Sequence, residues 1–157
     1  MVVSHSLRLV VFDCDGTLVD YQASIISSMA AAFEVHSHPV PVAESVRRVI
    51  GLPLRVAMQQ LLPHTDTEEH KKLENSYKEA FGDLRWRGEV FDPLYPGAMD
   101  VLNDLEEKGW LLGIATGKGL RGLKMTLETH GLMGRFQTLQ TADSAPGKPN
   151  PGMLLNA

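Results

Sequence analysis

One cysteine, Cys14, stands in a chain of 157 residues. No internal disulfide can form, which excludes a disulfide-stapled secreted scaffold and fits a reducing, cytoplasmic compartment. Long apolar runs are also lacking. The longest, from Leu7 to Phe12, falls far short of the ~20 residues that span a bilayer. Polar Ser4, His5 and Ser6 lead straight into that run, so no signal peptide is expected. Charge of one sign does not accumulate: 15 Lys and Arg face 19 Asp and Glu, and bases such as Arg47 and Arg48 or Lys71 and Lys72 sit among acids. This distribution excludes the basic footprint of a nucleic-acid or anionic-membrane binder, and neither partner is expected. What remains is 43% hydrophobic and 22% charged, the composition of an ordinary soluble globular protein. The length suits one domain of ~100–150 residues, or one with a small insert.

Leu7 to Phe12 is nearly continuous in apolar, β-branched and aromatic residues and ends at Asp13-Cys14-Asp15-Gly16, which reads as a buried parallel strand. Trp110 to Ala115, ended by Thr116-Gly117, reads the same way. It is flanked by helical patterns, Met99, Val101, Leu102 and Leu105 before it and Leu120, Leu123 and Leu127 after it. Helix, strand, helix is an α/β signature. A weaker third strand is predicted over Phe136 to Thr141. Between the two strong strands the period is helical throughout. Ile26, Met29 and Phe33 follow Asp20 as an expected N-cap; Val46, Val49 and Ile50 mark a second helix; Met58, Leu61 and Leu62, before Pro63, a third; Leu73, Tyr77, Ala80, Phe81 and Leu84 a fourth. Residues 20–91 are therefore expected to form an inserted four-helix subdomain, with residues 1–19 and 92–157 as the α/β core and linkers near Val19-Asp20 and Phe91-Pro93.

Ligands of open α/β sheets bind at the carboxyl ends of the strands. There the first strand presents Asp13 and Asp15, which point the same way from an extended segment, followed by Gly16, where the backbone can bend close to a ligand. Such a pair offers a nucleophile and a general acid, or hard oxygen ligands for magnesium. The plainer reading is a turn and helix cap. Against it, four specified residues (Asp, Asp, Gly, Thr) at ~5% frequency each make a chance match in this length roughly a one-in-a-thousand event.

Asp13-Cys14-Asp15-Gly16-Thr17-Leu18 resembles the first motif of the haloacid dehalogenase superfamily, in its phosphatase-type form. Thr116 matches its second motif, and Lys148, in Gly147-Lys148-Pro149, its third; the spacings are 103 and 32 residues. The resemblance is nearest to phosphoglycolate-phosphatase-like members with a helical cap. It implies a Rossmann-like parallel-sheet core, an aspartyl-phosphate on Asp13, and Asp15 as acid and then base. It further implies phosphate held by Thr116 and Lys148 with Gly16 and Gly117, and Mg²⁺ held by the Asp13 carboxylate and the Asp15 carbonyl. The substrate would be a small phosphorylated metabolite, with Arg47 of the cap as a substrate contact. A phosphotransferase handing phosphate to a sugar is the near alternative.

A fourth, acidic motif expected beyond the lysine has no counterpart in the nine residues after Lys148. On this reading the chain is a C-terminally shortened member, and its core is incomplete. Its metal site is then thin, and the first strand becomes an open edge through which chains could associate. An inactive or partner-binding protein is the competing expectation. Gly117-Lys118-Gly119-Leu120-Arg121-Gly122 with Asp143 also fits a dinucleotide fingerprint. However, the 35 residues that follow Gly122 are too few for the rest of such a sheet. The histidines show no metal-ligand spacing except His36-x-His38, read as surface. Cys14, between two acids, is expected to be an unreactive thiol.

Overall fold

The computed structural model describes residues 7–157; the polar stretch 4–6 lies outside them. Three parallel strands, β1 (Leu9–Phe12), β2 (Leu111–Ala115) and β3 (Thr138–Gln140), form one sheet in the order β1-β2-β3. The register sets Phe12 beside Ile114, and Ile114 beside Leu139. All three strands therefore end at one level, and their following loops converge.

Four helices separate β1 from β2: α1 (Gln22–Val35), α2 (Ala43–Val49), α3 (Leu54–Leu61) and α4 (Thr67–Trp86). Helix α5 (Ala98–Glu107) leads into β2, α6 (Leu120–Thr129) joins β2 to β3, and α7 (Gly152–Leu155) follows β3. The α/β architecture with a four-helix insert is as expected. Asp20 is not the N-cap of α1, however. The helix starts one residue later, and Asp20 Oδ1 accepts from the Gln22 amide at 3.1 Å, an Asx turn that feeds the helix rather than capping it. Asp66 does cap α4, accepting from the Glu69 amide at 2.8 Å.

Two apolar clusters form. One joins Leu102 of α5, Leu112 and Ile114 of β2, and Leu123 and Leu127 of α6 to Leu18, Val19 and Tyr21. The other packs Met29 and Phe33 of α1 against Val46, Met58 and Leu73 of the next three helices. Each such buried side chain is worth about 1.5–3 kcal/mol relative to exposure. Ile25 touches both clusters. The two segments read as linkers run side by side: the Asp20 amide donates to the Pro93 carbonyl at 2.8 Å and the Tyr95 amide to the Leu18 carbonyl at 3.0 Å.

Candidate active site

Strand β1 delivers Asp13 and Asp15 into the space where the loops after β2 and β3 meet. Asp13 Oδ1 accepts from the Cys14 amide at 2.8 Å and lies 3.0 Å from Lys148 Nζ, so the first and third motif residues meet across 135 positions of sequence. Asp15 Oδ2 lies 3.1 Å from Lys118 Nζ, while its other oxygen, Oδ1, is buried with no hydrogen-bond partner among the described residues. Burial pushes the Asp15 carboxyl above its ordinary value, against the pull of Lys118. Thr116 is fully buried; its Oγ1 accepts from the Lys118 amide at 3.2 Å and its own amide donates to the Gln140 carbonyl at 3.0 Å. Cys14 is also fully buried, and burial first, then the charge of Asp15, pushes its thiol up to about 12.

The loop between α2 and α3 closes over these strand ends. Gly51 turns there with φ +90, a conformation L side chains rarely adopt, and a Cβ on it would lie 3.0 Å from Asp13 Oδ2. A Cβ on Gly117 would strike the Leu52 carbonyl oxygen at 2.6 Å, and one on Gly147 would strike Pro53 Cγ. Gly117 in the second loop thus admits the backbone of the α2–α3 loop, and Gly147 in the third admits the ring of Pro53. Gly16 touches the same loop more loosely, 3.4 Å from Ile50 Cγ2 by the same measure.

Arg47 is not brought to this site. Its Nε donates to Gln22 Oε1 at 3.1 Å, its Nη1 lies 3.8 Å from Glu44, and about half of its side chain is exposed. Lys118, by contrast, is in the site, although the sequence shows it only within the dinucleotide-like pattern. The signal was available: Lys118 is two residues beyond Thr116 in a strand-end turn, the same alternation that pairs Asp13 with Asp15. The fingerprint's acid, Asp143, takes a different role. Its Oδ2 accepts from the Leu120 amide at 2.7 Å, so a carboxylate already fills the α6 N-terminus that a pyrophosphate would need.

Residues 10–157 match the sequence profile of the family described as haloacid dehalogenase-like hydrolase. The chain belongs to that family. Among relatives of this haloacid dehalogenase-like chain, the probable phosphatase IndB of Dickeya dadantii is 34% identical over 155 residues, covering 95% of this chain and 65% of that protein. The phosphoglycolate phosphatase of Vibrio parahaemolyticus is 27% identical over 160 residues, covering 98% of this chain and 69% of that one. A haloacid dehalogenase-like hydrolase structure from Bacteroides fragilis superposes with a TM-score of 0.84 at 23% identity, over 96% of this chain and 71% of that one, which shows the shared fold. The haloacid dehalogenase-like chain thus spans about two thirds of the length of these curated relatives.

Among the described residues no three His, Cys, Asp or Glu side chains gather as a metal cluster. Two oxygens at the site still take part in no hydrogen bond or ion pair among the described residues, Asp13 Oδ2 and the Asp15 carbonyl. Magnesium is commonly held by one or two carboxylates together with substrate phosphate and water. The donors present fit an ion that arrives with phosphate.

Proposed function

We propose that this chain carries the reacting residues of a phosphomonoesterase acting through an aspartyl-phosphate. The observation that carries this reading is the convergence of Asp13 with Lys148 at 3.0 Å and of Asp15 with Lys118 at 3.1 Å on adjoining strand ends. A carboxylate oxygen of Asp13 attacks phosphorus as the bond from phosphorus to the ester oxygen breaks. Asp15, whose carboxyl is held above its ordinary value by burial, is suited to carry the proton that the departing alcohol takes. In the second half Asp15, now ionised, takes a proton from water as that water attacks phosphorus, which frees phosphate and restores Asp13. The Lys148 ammonium offsets the charge that builds on the transferring group, and the Thr116 hydroxyl keeps its proton to donate to a phosphoryl oxygen. Backbone at Gly16 and Gly117 completes the cradle, while Arg47 has no part in it. Asp13 and the Asp15 carbonyl would hold magnesium, which when bound would supply further neutralisation of the phosphoryl oxygens.

On this reading residues 20–91 act as a cap over a core of residues 1–19 and 92–157, and the substrate is a small phosphorylated metabolite in the cytoplasm. Water and a sugar hydroxyl compete for the same intermediate, so phosphate release distinguishes hydrolase from phosphotransferase. The test is p-nitrophenyl phosphate hydrolysis by the chain and by Asp13→Asn, with and without magnesium. Loss of activity in the variant is expected; equal rates would overturn the reading. One observation favours a second, partner-binding role: β1 is an outer strand of the described sheet, paired among the described residues on its β2 side, and an outer strand can pair with another chain. Equal rates together with concentration-dependent self-association would favour it.

A further inference from the structure

A cleft of about 1050 Å³ opens beside Asp15 and Lys118 and extends between α4 and α6. Pockets that hold drug-sized ligands measure ~300–1,000 Å³, so the space exceeds what a phosphorylated two-carbon acid fills. Its walls are mainly apolar. Tyr77 and Phe81 of α4, with ring centroids 6.0 Å apart, line it together with Met29, Leu52, Met125 and the highly exposed Trp86. Most of its charges are already engaged: Arg55 and Lys78 both bond Glu74, Lys118 pairs with Asp15, and Asp143 caps α6. Arg85, its guanidinium 5.6 Å from the Phe81 ring centre, makes no ion pair among the described residues. The cation expected to read a small acid, Arg47, is not in the cleft.

Two helical glycines line the same space. Gly82 lies inside α4 without a positive φ, and a Cβ there meets nothing within 4 Å. Neither backbone conformation nor packing calls for glycine at that position, and glycine weakens a helix interior; what it leaves is room. Across the cleft, a Cβ on Gly122 of α6 would lie 3.2 Å from Lys118 Cγ, so glycine there lets the lysine stem lie flat against the helix on its way to Asp15.

We propose that the site takes phosphomonoesters of large, flat, mostly apolar alcohols in preference to phosphorylated two- or three-carbon acids. The aromatic part lies along Tyr77 and Phe81 with its outer end toward Arg85. This rests on the phosphomonoesterase reading above, and the alcohol leaves with the proton from Asp15 as described there.

The test compares kcat/KM for naphthyl phosphate and phosphoglycolate in the chain, in Gly82→Phe and in Gly82→Ala, with calorimetric binding of naphthylmethylphosphonate. The chain is expected to favour naphthyl phosphate by about tenfold or more, Gly82→Phe to lower that ratio by about tenfold, and Gly82→Ala to keep it. Phosphoglycolate turned over as well as the aryl ester, or a ratio unmoved in Gly82→Phe, would overturn the proposal while leaving the phosphatase reading intact. If no phosphoester is hydrolysed, the phosphatase reading fails instead and binding decides. Saturable phosphonate binding weakened in folded Gly82→Phe then supports the cleft, and absence of binding to the chain overturns it.

Discussion

Lys118 Nζ lies 3.1 Å from Asp15 Oδ2, with only 15% and 14% of the two side chains exposed. The ammonium also sits 4.2 Å from the centre of the Tyr21 ring, so an aromatic face and a carboxylate share one cation. Lys118→Met removes the counter-ion and leaves Asp15 to burial and to the nearby charge of Asp13. Unfolding stability should fall by about 1–3 kcal/mol in urea titrations near neutral pH. The sign of the pH dependence follows from Asp15, whose carboxyl is raised in the fold. Its contribution is fully present below the unfolded aspartate pKa of ~3.9 and is lost as pH rises through the raised value. Without Lys118 that loss is larger, so the deficit of the variant should grow from the low-pH end of the Asp15 titration to its high-pH end. An equal deficit at both ends would show that the pair contributes no charge-dependent stability.

The strands and the two acids were legible in the sequence because a buried parallel strand is a continuous apolar run, and what ends it stands out. β1 and β2 fall inside their predicted runs, and β3, expected over Phe136 to Thr141, spans Thr138–Gln140. Lys148 was legible only through its resemblance to a family motif, since nothing local distinguishes a lysine before proline. Direction on a helix was not legible. Arg47 lies on α2 as expected, yet its guanidinium turns to Gln22 on α1, a packing choice that periodicity does not encode. Gly51 and Gly117 owe their identity to a contact between loops some 66 positions apart, visible only once both are folded.

Lys148→Ala should lower kcat/KM toward p-nitrophenyl phosphate by about 10²–10³-fold, the usual loss when one donor to a charged transition state is removed. Stability should change by only about 0–1 kcal/mol, because Lys148 and Asp13 are 31% and 27% exposed and water screens their pairing. A large drop in melting temperature with unchanged turnover would reverse that assignment.

Cys14 should resist thiol reagents in the native protein. With its thiol pushed up to about 12 by burial and by Asp15, roughly one molecule in ten thousand is thiolate near pH 8. Labelling by an aromatic disulfide reagent should therefore be slow when folded and fast in denaturant. Rapid native labelling would mean that the β1 end opens readily.

Magnesium and phosphate should bind together. With Asp13 Oδ2 and the Asp15 carbonyl as its protein donors, the ion lacks most of its oxygen shell until phosphate and water complete it. Calorimetry should show weak magnesium binding alone, strengthened by inorganic phosphate, with the coupling lost in Asp13→Asn. Tight binding of magnesium alone would point to donors beyond these two.

Gly51→Ala separates backbone strain from damage to the nucleophile. Gly51 has φ +90, and an added Cβ would sit 3.0 Å from Asp13 Oδ2. Gly88, just past the end of α4, has φ +69 with nothing within 4 Å of the same built atom. Alanine at either position forces a side chain into a sparsely populated conformation, at a cost of about 1–3 kcal/mol. Only at position 51 does the new methyl group press on the attacking carboxylate, and a displacement of ~1 Å at a reacting group can cost ~10²-fold in rate. Both variants should lose similar stability in denaturant, while only Gly51→Ala loses kcat on p-nitrophenyl phosphate. If Gly88→Ala lost turnover equally, the contact between the α2–α3 loop and Asp13 would not be the cause. Turnover would then be limited by overall stability.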